Sequence, residues 1–135
     1  MIGLVICTHS NLADAMLTSA EMIVGTIPQS EAIGVHPGDS PEEIHTKLEA
    51  ALKTVDQGDG AIVLCDMFGG TPSNISLTFL SETVDVVTGV NLPMILKFYT
   101  TRSGALAEVS KAIQTHARDN ILAAGVLMGT PVESV

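Results

Sequence analysis

The segment AIVLCDMFGGTPSN, residues 61–74, decides the fold. It begins with a short apolar run that includes β-branched residues, continues through a turn with two adjacent glycines, and ends in Thr-Pro-Ser-Asn, a typical helix start. Because the run is apolar without polar alternation, it predicts a strand that is covered on both faces, as in a parallel sheet. The segment therefore predicts a strand-turn-helix unit of an α/β fold.

The same alternation extends over the rest of the chain. Further strands are predicted at Ile2 to Thr8, Ala32 to Val35, Val84 to Val90 and Ile121 to Met128. Helices are predicted from Asn11 to Gly25, from the capping box at Ser40, from Thr71 to about Ser81, from Pro93 to Tyr99 and from Ser103 to about Thr115. This order predicts a doubly wound, mainly parallel sheet with helices on both faces. The last strand is expected at a sheet edge, where a subunit partner would cover it.

Length and composition limit the possible classes of function. A chain of 135 residues with 46% hydrophobic types predicts one domain over residues 1–135. The formal charge of −9 disfavours nucleic acid and anionic membrane surfaces as partners. No apolar run is long enough to span a bilayer, and the start has no basic region of a signal peptide. Cys7 and Cys65 lack metal-ligand spacing, so we expect buried thiols in a cytoplasmic protein.

Two polar side chains stand at the carboxyl ends of predicted strands, where open parallel sheets bind ligands. His9 ends the first strand and Asp66 ends the third. If these strands are neighbours, an aspartate carboxylate can accept the N–H of one ring nitrogen and leave the other free as a nucleophile. The alternative is structural, with His9 as a helix cap and Asp66 as the start of a turn.

The turn after Asp66 has features of a site for one phosphoryl group. Two adjacent glycines, Gly69 and Gly70, permit a close backbone approach, and free amides attract an anion. No lysine follows the glycines and no G-x-G-x-x-G follows the first strand, so ATP and NAD are disfavoured, and neither a cofactor nor a metal is predicted. The predicted phosphate contacts are Phe68, Gly69, Gly70, Thr71, Ser73 and Thr8. Ordinary helix capping is the alternative for the hydroxyls of Thr71 and Ser73.

Three segments in order resemble the mannose-type enzyme IIA domain of the bacterial sugar phosphotransferase system. They are Cys7-Thr8-His9, residues 66–74 and Gly89-Val90-Asn91-Leu92-Pro93-Met94, each after a predicted strand. The resemblance covers nearly the whole chain. It implies that His9 is phosphorylated at Nε2 by the phosphocarrier protein HPr and passes the group to a histidine of a IIB domain. It also implies that Asp66 hydrogen-bonds the ring and that a homodimer exchanges its last edge strand.

The resemblance leaves the physiological role open. A carrier in sugar uptake would associate with membrane permease components without entering the bilayer, whereas a freestanding domain could be a regulatory relay controlled by phosphorylation of His9. A branch that serves dihydroxyacetone kinase lacks the Gly-Gly-Thr-Pro loop found here. A nucleotide-binding flavodoxin-like module is the third possibility. In the loop itself, exposed Met67 and Phe68 side chains would form a docking patch for HPr and IIB, and inward packing is the alternative.

Overall fold

A computed structural model describes residues 1–133 and shows a single parallel sheet between two helical layers. The elements in chain order are β1 (Gly3–His9), α1 (Leu12–Val24), β2 (Ser30–Val35), α2 (Pro41–Val55), β3 (Ala61–Cys65), α3 (Thr71–Leu77), β4 (Val84–Thr88), α4 (Leu92–Thr101), α5 (Leu106–Asp119) and α6 (Ala124–Leu127). The prediction of an α/β fold with a doubly wound parallel sheet is confirmed.

The strand order β2-β1-β3-β4 places β1, which ends at His9, beside β3, which is followed by Asp66. β1 pairs with β3 in parallel register, with Cys7 opposite Cys65. The chain winds to β2 on one side of β1 and to β3 and β4 on the other, so the switch in winding direction lies between β1 and β3. The residues that follow Cys7 and Cys65 therefore meet at the crevice where doubly wound sheets bind ligands.

The core has two halves, one on each face of the sheet. Leu4 and Ile6 of β1 pack with α1, α4 and α5, whereas Val5 and Cys7 pack with α2 and α3. Successive side chains of a strand point to opposite faces, so a run that is apolar throughout is buried on both. This rigid, doubly covered strand carries His9 at its carboxyl end.

The predicted fifth strand at Ile121 to Met128 is absent, and that prediction is wrong for the described residues. The segment instead contains the one-turn helix α6, and its backbone bonds are local, for example from the Leu127 amide to the Ala123 carbonyl at 3.0 Å. A strand needs a neighbour that supplies hydrogen bonds, and the segment pairs with no strand of residues 1–133. Strand exchange between subunits thus stays a prediction, and residues 134–135 of the predicted domain lie outside the described range.

Candidate functional site

The structure brings His9 and Asp66 together at the carboxyl edge of the sheet. The ring Nδ1 of His9 lies 2.8 Å from Oδ2 of Asp66, and the backbone amide of His9 donates to the same oxygen at 3.1 Å. One carboxylate oxygen thus holds both the backbone and the ring of His9. The side chain of His9 is 48% exposed, whereas that of Asp66 is 16% exposed.

The ionised form of Asp66 is favoured by these bonds. Burial raises the pKa of this carboxyl, but hydrogen bonds from the ring and the backbone amide of His9 outweigh burial and hold the pKa below its ordinary value of 3.8. Asp66 is therefore a carboxylate near neutral pH and accepts a hydrogen bond from the Nδ1–H group of His9. Nε2 of a neutral ring is then left with its lone pair.

The ring of His9 lies against the diglycine bend. A Cβ atom placed on Gly70 would be 2.7 Å from Cε1 and 3.2 Å from Nε2 of His9, so the free edge of the ring faces this backbone. The loop also offers unpaired donors. Within residues 1–133, the amides of Phe68 and Thr71 and the hydroxyl of Thr71 have no hydrogen-bond partner.

The hydroxyl groups of Thr8 and Ser73 are engaged elsewhere. Thr8 is fully buried, and its Oγ1 accepts from the Ala13 amide at 2.7 Å and donates to the His9 carbonyl at 3.1 Å. Thr8 thereby caps α1, a role that the sequence assigned to Asn11, which makes no side-chain cap bond. The hydroxyl of Thr8 thus caps α1, and its phosphate contact stays a prediction.

Ser73 braces the loop from inside. Its Oγ accepts from the Gly69 amide at 3.0 Å and donates to the Gly70 carbonyl at 3.1 Å, and the residue is fully buried. The amide of Gly69 is therefore also hydrogen-bonded, to Oγ of Ser73. Of the predicted phosphate contacts, Gly70 lies against the ring edge, and Phe68 and Thr71 are its loop neighbours whose amides have no partner within residues 1–133.

Other nucleophiles near the site are poorly suited to react. Cys7 and Cys65 are buried free thiols, and burial raises their pKa to about 12 and about 11, respectively. A neutral thiol is a weak nucleophile. Within residues 1–133, no three or more His, Cys, Asp or Glu side chains are grouped to hold a metal ion. The imidazole of His9 is therefore the reactive group that the site presents.

Sequence reasoning missed two residues of the surroundings. Ser10 follows His9 with a positive φ of 53°, and Gly34 of β2 lies directly against its carbonyl oxygen. A glycine inside a strand is a known sign of a close backbone approach, and that signal was present in the sequence at Gly34. No signal marked Ser10, because its conformation is set by the turn from β1 into α1.

Two properties of the surface bear on partners. Met67 and Phe68 are 54% and 71% exposed, so the alternative of inward packing is excluded. None of the helices over residues 1–133 combines the length and the apolar character that crossing a membrane requires.

Comparisons with known proteins agree with this geometry. Residues 3–117 match the EIIA-man family model, described as PTS system fructose IIA component. The chain is 32% identical over 104 residues to the PTS system fructose-specific EIIA component of Bacillus subtilis, covering 76% of this chain and 71% of that one. It is 33% identical over 103 residues to the PTS system mannose-specific EIIAB component of Escherichia coli, covering 75% of this chain and 32% of that longer protein.

A solved structure confirms the architecture. The PTS IIA protein associated with the fucose utilization operon of Streptococcus pneumoniae superposes with a TM-score of 0.84 at 25% identity, over 93% of this chain and 95% of that one. The family match spans both strands that carry His9 and Asp66 as well as the loop between β3 and α3. The chain belongs to the EIIA-man family of phosphotransferase-system IIA components.

Proposed function

We propose that this protein is a phosphohistidine carrier of a sugar phosphotransferase system, which accepts a phosphoryl group from HPr on His9 and passes it to a IIB domain. The observation that supports this most is the divided role of the imidazole. Nδ1 is hydrogen-bonded to Asp66, while the ring, in a side chain that is about half exposed, turns its Nε2 edge toward the diglycine bend.

The proposed step is an in-line displacement at phosphorus. The Nε2 lone pair of His9 forms the new N–P bond as the N–P bond of the donor phosphohistidine breaks, and its electron pair returns to the donor ring. The ring of His9 gains positive charge in this step and keeps its proton on Nδ1. The adjacent Asp66 carboxylate stabilises that charge and fixes the reactive tautomer. Transfer to IIB is the same displacement with Nε2 as the leaving group.

Backbone donors are the proposed stabilisers of the phosphoryl oxygens. The amides of Phe68 and Thr71 and the Thr71 hydroxyl are unpaired within residues 1–133 and lie in the loop that the ring faces. Fixed donors of this kind stabilise charge without reorganisation. Gly70 would admit the phosphoryl group close to the backbone. We do not extend this role to Thr8, Gly69 or Ser73, whose donors are already bonded.

The exposed side chains of Met67 and Phe68 are the proposed docking patch for both partner proteins. They belong to the loop that the ring of His9 contacts through Gly70, and an apolar centre that is buried on docking is typical of protein contacts that carry binding energy. The relay partners act in the cytoplasm, so we propose that compartment for this chain. Association with permease components would occur through IIB.

We also propose a homodimer in which the C-terminal segment of each copy pairs with β4 of the other. In the described chain β4 is an edge strand, and a groove of about 440 Å³ lies between it and α5. The segment that follows α5 exposes six large apolar side chains: Ile121, Leu122, Val126, Leu127, Met128 and Val132. Burying such a surface and a free strand edge together would favour association. Light scattering that finds a dimer, and a monomer for Val126→Asp, would support exchange, whereas a monomeric native protein would contradict it.

The proposed carrier function is tested by phosphorylation in a reconstituted relay. Incubation with enzyme I, HPr and phosphoenolpyruvate should add the mass of one phosphoryl group, which is acid-labile and is released to a cognate IIB domain. His9→Gln should show no gain. His36→Gln and His45→Gln, which replace other exposed histidines, are matched controls and should be labelled as the native protein is. No mass gain under conditions that label HPr would contradict the proposal.

A further inference from the structure

Two glycines flank His9 at positions where the backbone does not require glycine. Gly70 has φ −88° and ψ 170°, values that any L-residue adopts, and Gly34 lies within β2 without a positive φ. In such positions alanine is normally tolerated or even stabilising, because it restricts the unfolded chain. The reason for glycine must therefore lie in what surrounds each position.

At Gly70 the side-chain space is filled by the ring of His9. A Cβ atom there would lie 2.7 Å from Cε1 of the ring, whereas non-bonded carbon atoms normally stay about 3.5–4.0 Å apart. The same atom would lie 3.2 Å from Nε2. A methyl group at position 70 would push the ring away from the loop and, since Nδ1 is bonded on the other side, strain the 2.8 Å bond to Asp66.

At Gly34 the side-chain space is filled by the turn that follows His9. A Cβ atom there would lie 2.2 Å from the carbonyl oxygen of Ser10, which is backbone and cannot rotate away. Ser10 has φ 53°, and its amide donates to the Val35 carbonyl at 2.8 Å. The turn is thus pressed onto β2 immediately after the residue whose amide donates to Asp66.

We propose that Gly34 and Gly70 are positioning residues for His9, which together form a seat for the ring and its turn that only residues without a side chain provide. Gly70 sets the position of the ring edge that carries Nε2, and Gly34 sets the backbone from which the ring projects. This inference rests on the proposed carrier function for its consequence, a loss of transfer rate. The seat itself is a statement about geometry and is testable without transfer.

The first test is a thermodynamic cycle between Gly70→Ala and His9→Ala. If the ring fills the space, Gly70→Ala lowers the melting temperature of the native protein by roughly 2–5 °C. In the His9→Ala background, where the ring is gone, the same change should be neutral or should raise the melting temperature. Gly104→Ala is the control, because its nearest atoms would be at 3.4 Å and its φ is not positive. If Gly70→Ala changed the melting temperature equally in both backgrounds, the ring of His9 would not be what fills the space at Gly70, and the proposal would be contradicted.

The second test reads the ring directly by nitrogen-15 NMR of the His9 side chain. In the native protein we expect the tautomer with its proton on Nδ1, and in Gly70→Ala a larger population protonated on Nε2. Phosphorylation by HPr should slow at least about 10-fold in Gly70→Ala and stay unchanged in Gly104→Ala. Unchanged ring shifts in Gly70→Ala would overturn the proposal, whatever the rate. A native protein that HPr fails to label would overturn the carrier function alone.

Gly34→Ala extends the test to the other side of the seat. We expect it to alter the backbone amide chemical shifts of His9 and Ser10 more than that of Phe68. We also expect it to slow phosphorylation. A Gly34→Ala protein that is folded, with native amide shifts for His9 and Ser10 and a native rate, would remove Gly34 from the seat.

Discussion

Two apolar runs with similar composition have opposite fates in this molecule. Residues 61–65 form a strand in which every side chain is buried, whereas residues 121–128 form an irregular stretch and one helical turn with most side chains exposed. The difference lies in backbone pairing. β3 lies between β1 and β4, which satisfy its backbone on both sides, while the later run pairs with no strand within residues 1–133. The hydrophobic pattern of a run therefore predicts that it is suited to burial, but does not identify the surface that would cover it.

This contrast has a functional side. The paired strands hold His9 and Asp66 on rigid supports, so the chemistry should depend on them and be insensitive to residues of the C-terminal segment. Substitutions in the two regions can test that division.

The sharpest test of the contrast is one substitution made in both runs. Leu64→Ala removes a fully buried side chain from the core and should lower the free energy of unfolding by about 3 kcal/mol. Leu122→Ala, at a residue that is 60% exposed in the single chain, should change it by less than about 0.5 kcal/mol when the protein is monomeric, and by more in the proposed exchanged dimer. Chemical denaturation measures both, and light scattering gives the oligomeric state. A large loss from Leu122→Ala in a protein that light scattering finds to be monomeric would contradict the contrast.

Asp66→Asn tests whether phosphorylation of His9 needs the carboxylate that the sheet holds beside the ring. The amide keeps the shape of the carboxylate but neither fixes the Nδ1 tautomer nor stabilises a positive ring, so we expect phosphorylation by HPr to slow at least about 100-fold with the fold retained. Asp14→Asn is the matched control, since it removes an exposed negative charge in the first turn of α1 that makes no hydrogen bond with His9. Leu122→Ala should transfer at the native rate. Native kinetics for Asp66→Asn would remove Asp66 from the mechanism.

The two predicted N-caps, Ser40 and Asn11, are tested by substitutions with smaller expected effects on stability. Ser40 accepts from the Glu43 amide at 3.1 Å, so Ser40→Ala should cost about 1 kcal/mol of unfolding free energy. Asn11→Ala should cost less, because Thr8 caps that helix instead. Equal losses in thermal or chemical denaturation would mean that Asn11 acts as a cap in solution.

The smallest expected effect is a change in acid stability. Since the folded pKa of Asp66 lies below its ordinary value of 3.8, the stability that its carboxylate provides is complete above that value and is lost as pH falls through the lower folded pKa. Asp66→Asn lacks this contribution. The difference in unfolding free energy between native protein and Asp66→Asn should therefore shrink on acidification below about pH 4. A constant difference down to pH 2 would contradict the assigned pKa direction.

Much of the architecture was predictable because the signals are local. The apolar runs at β1 and β3 and the capping box at Ser40 lead directly to the observed elements, and strand ends identify His9 and Asp66 as neighbours. The remainder depends on tertiary contacts. The hydroxyls of Thr8 and Ser73 had the right chemistry for phosphate, but which partner a short side chain chooses is decided by backbone geometry.

Arg102 shows the same limit for a charged residue. Arginine is mostly exposed in folded proteins, yet Arg102 is 3% exposed and donates from its guanidinium to the Ile2 carbonyl at 2.8 Å, with the Phe98 ring 5.0 Å away. Burial lowers the pKa of this guanidinium. The bond to Ile2 joins residues that are 100 positions apart in sequence, so no local pattern predicts it.

In the proposed mechanism Asp66 occupies Nδ1 of His9 and thereby directs the phosphoryl group to Nε2. Nitrogen-15 and phosphorus-31 NMR of the protein labelled by HPr tests this, because one-bond coupling identifies the ring nitrogen bonded to phosphorus. We expect coupling to Nε2 of His9, with the proton retained on Nδ1. Coupling to Nδ1, or phosphorus bound to any other residue, would contradict it.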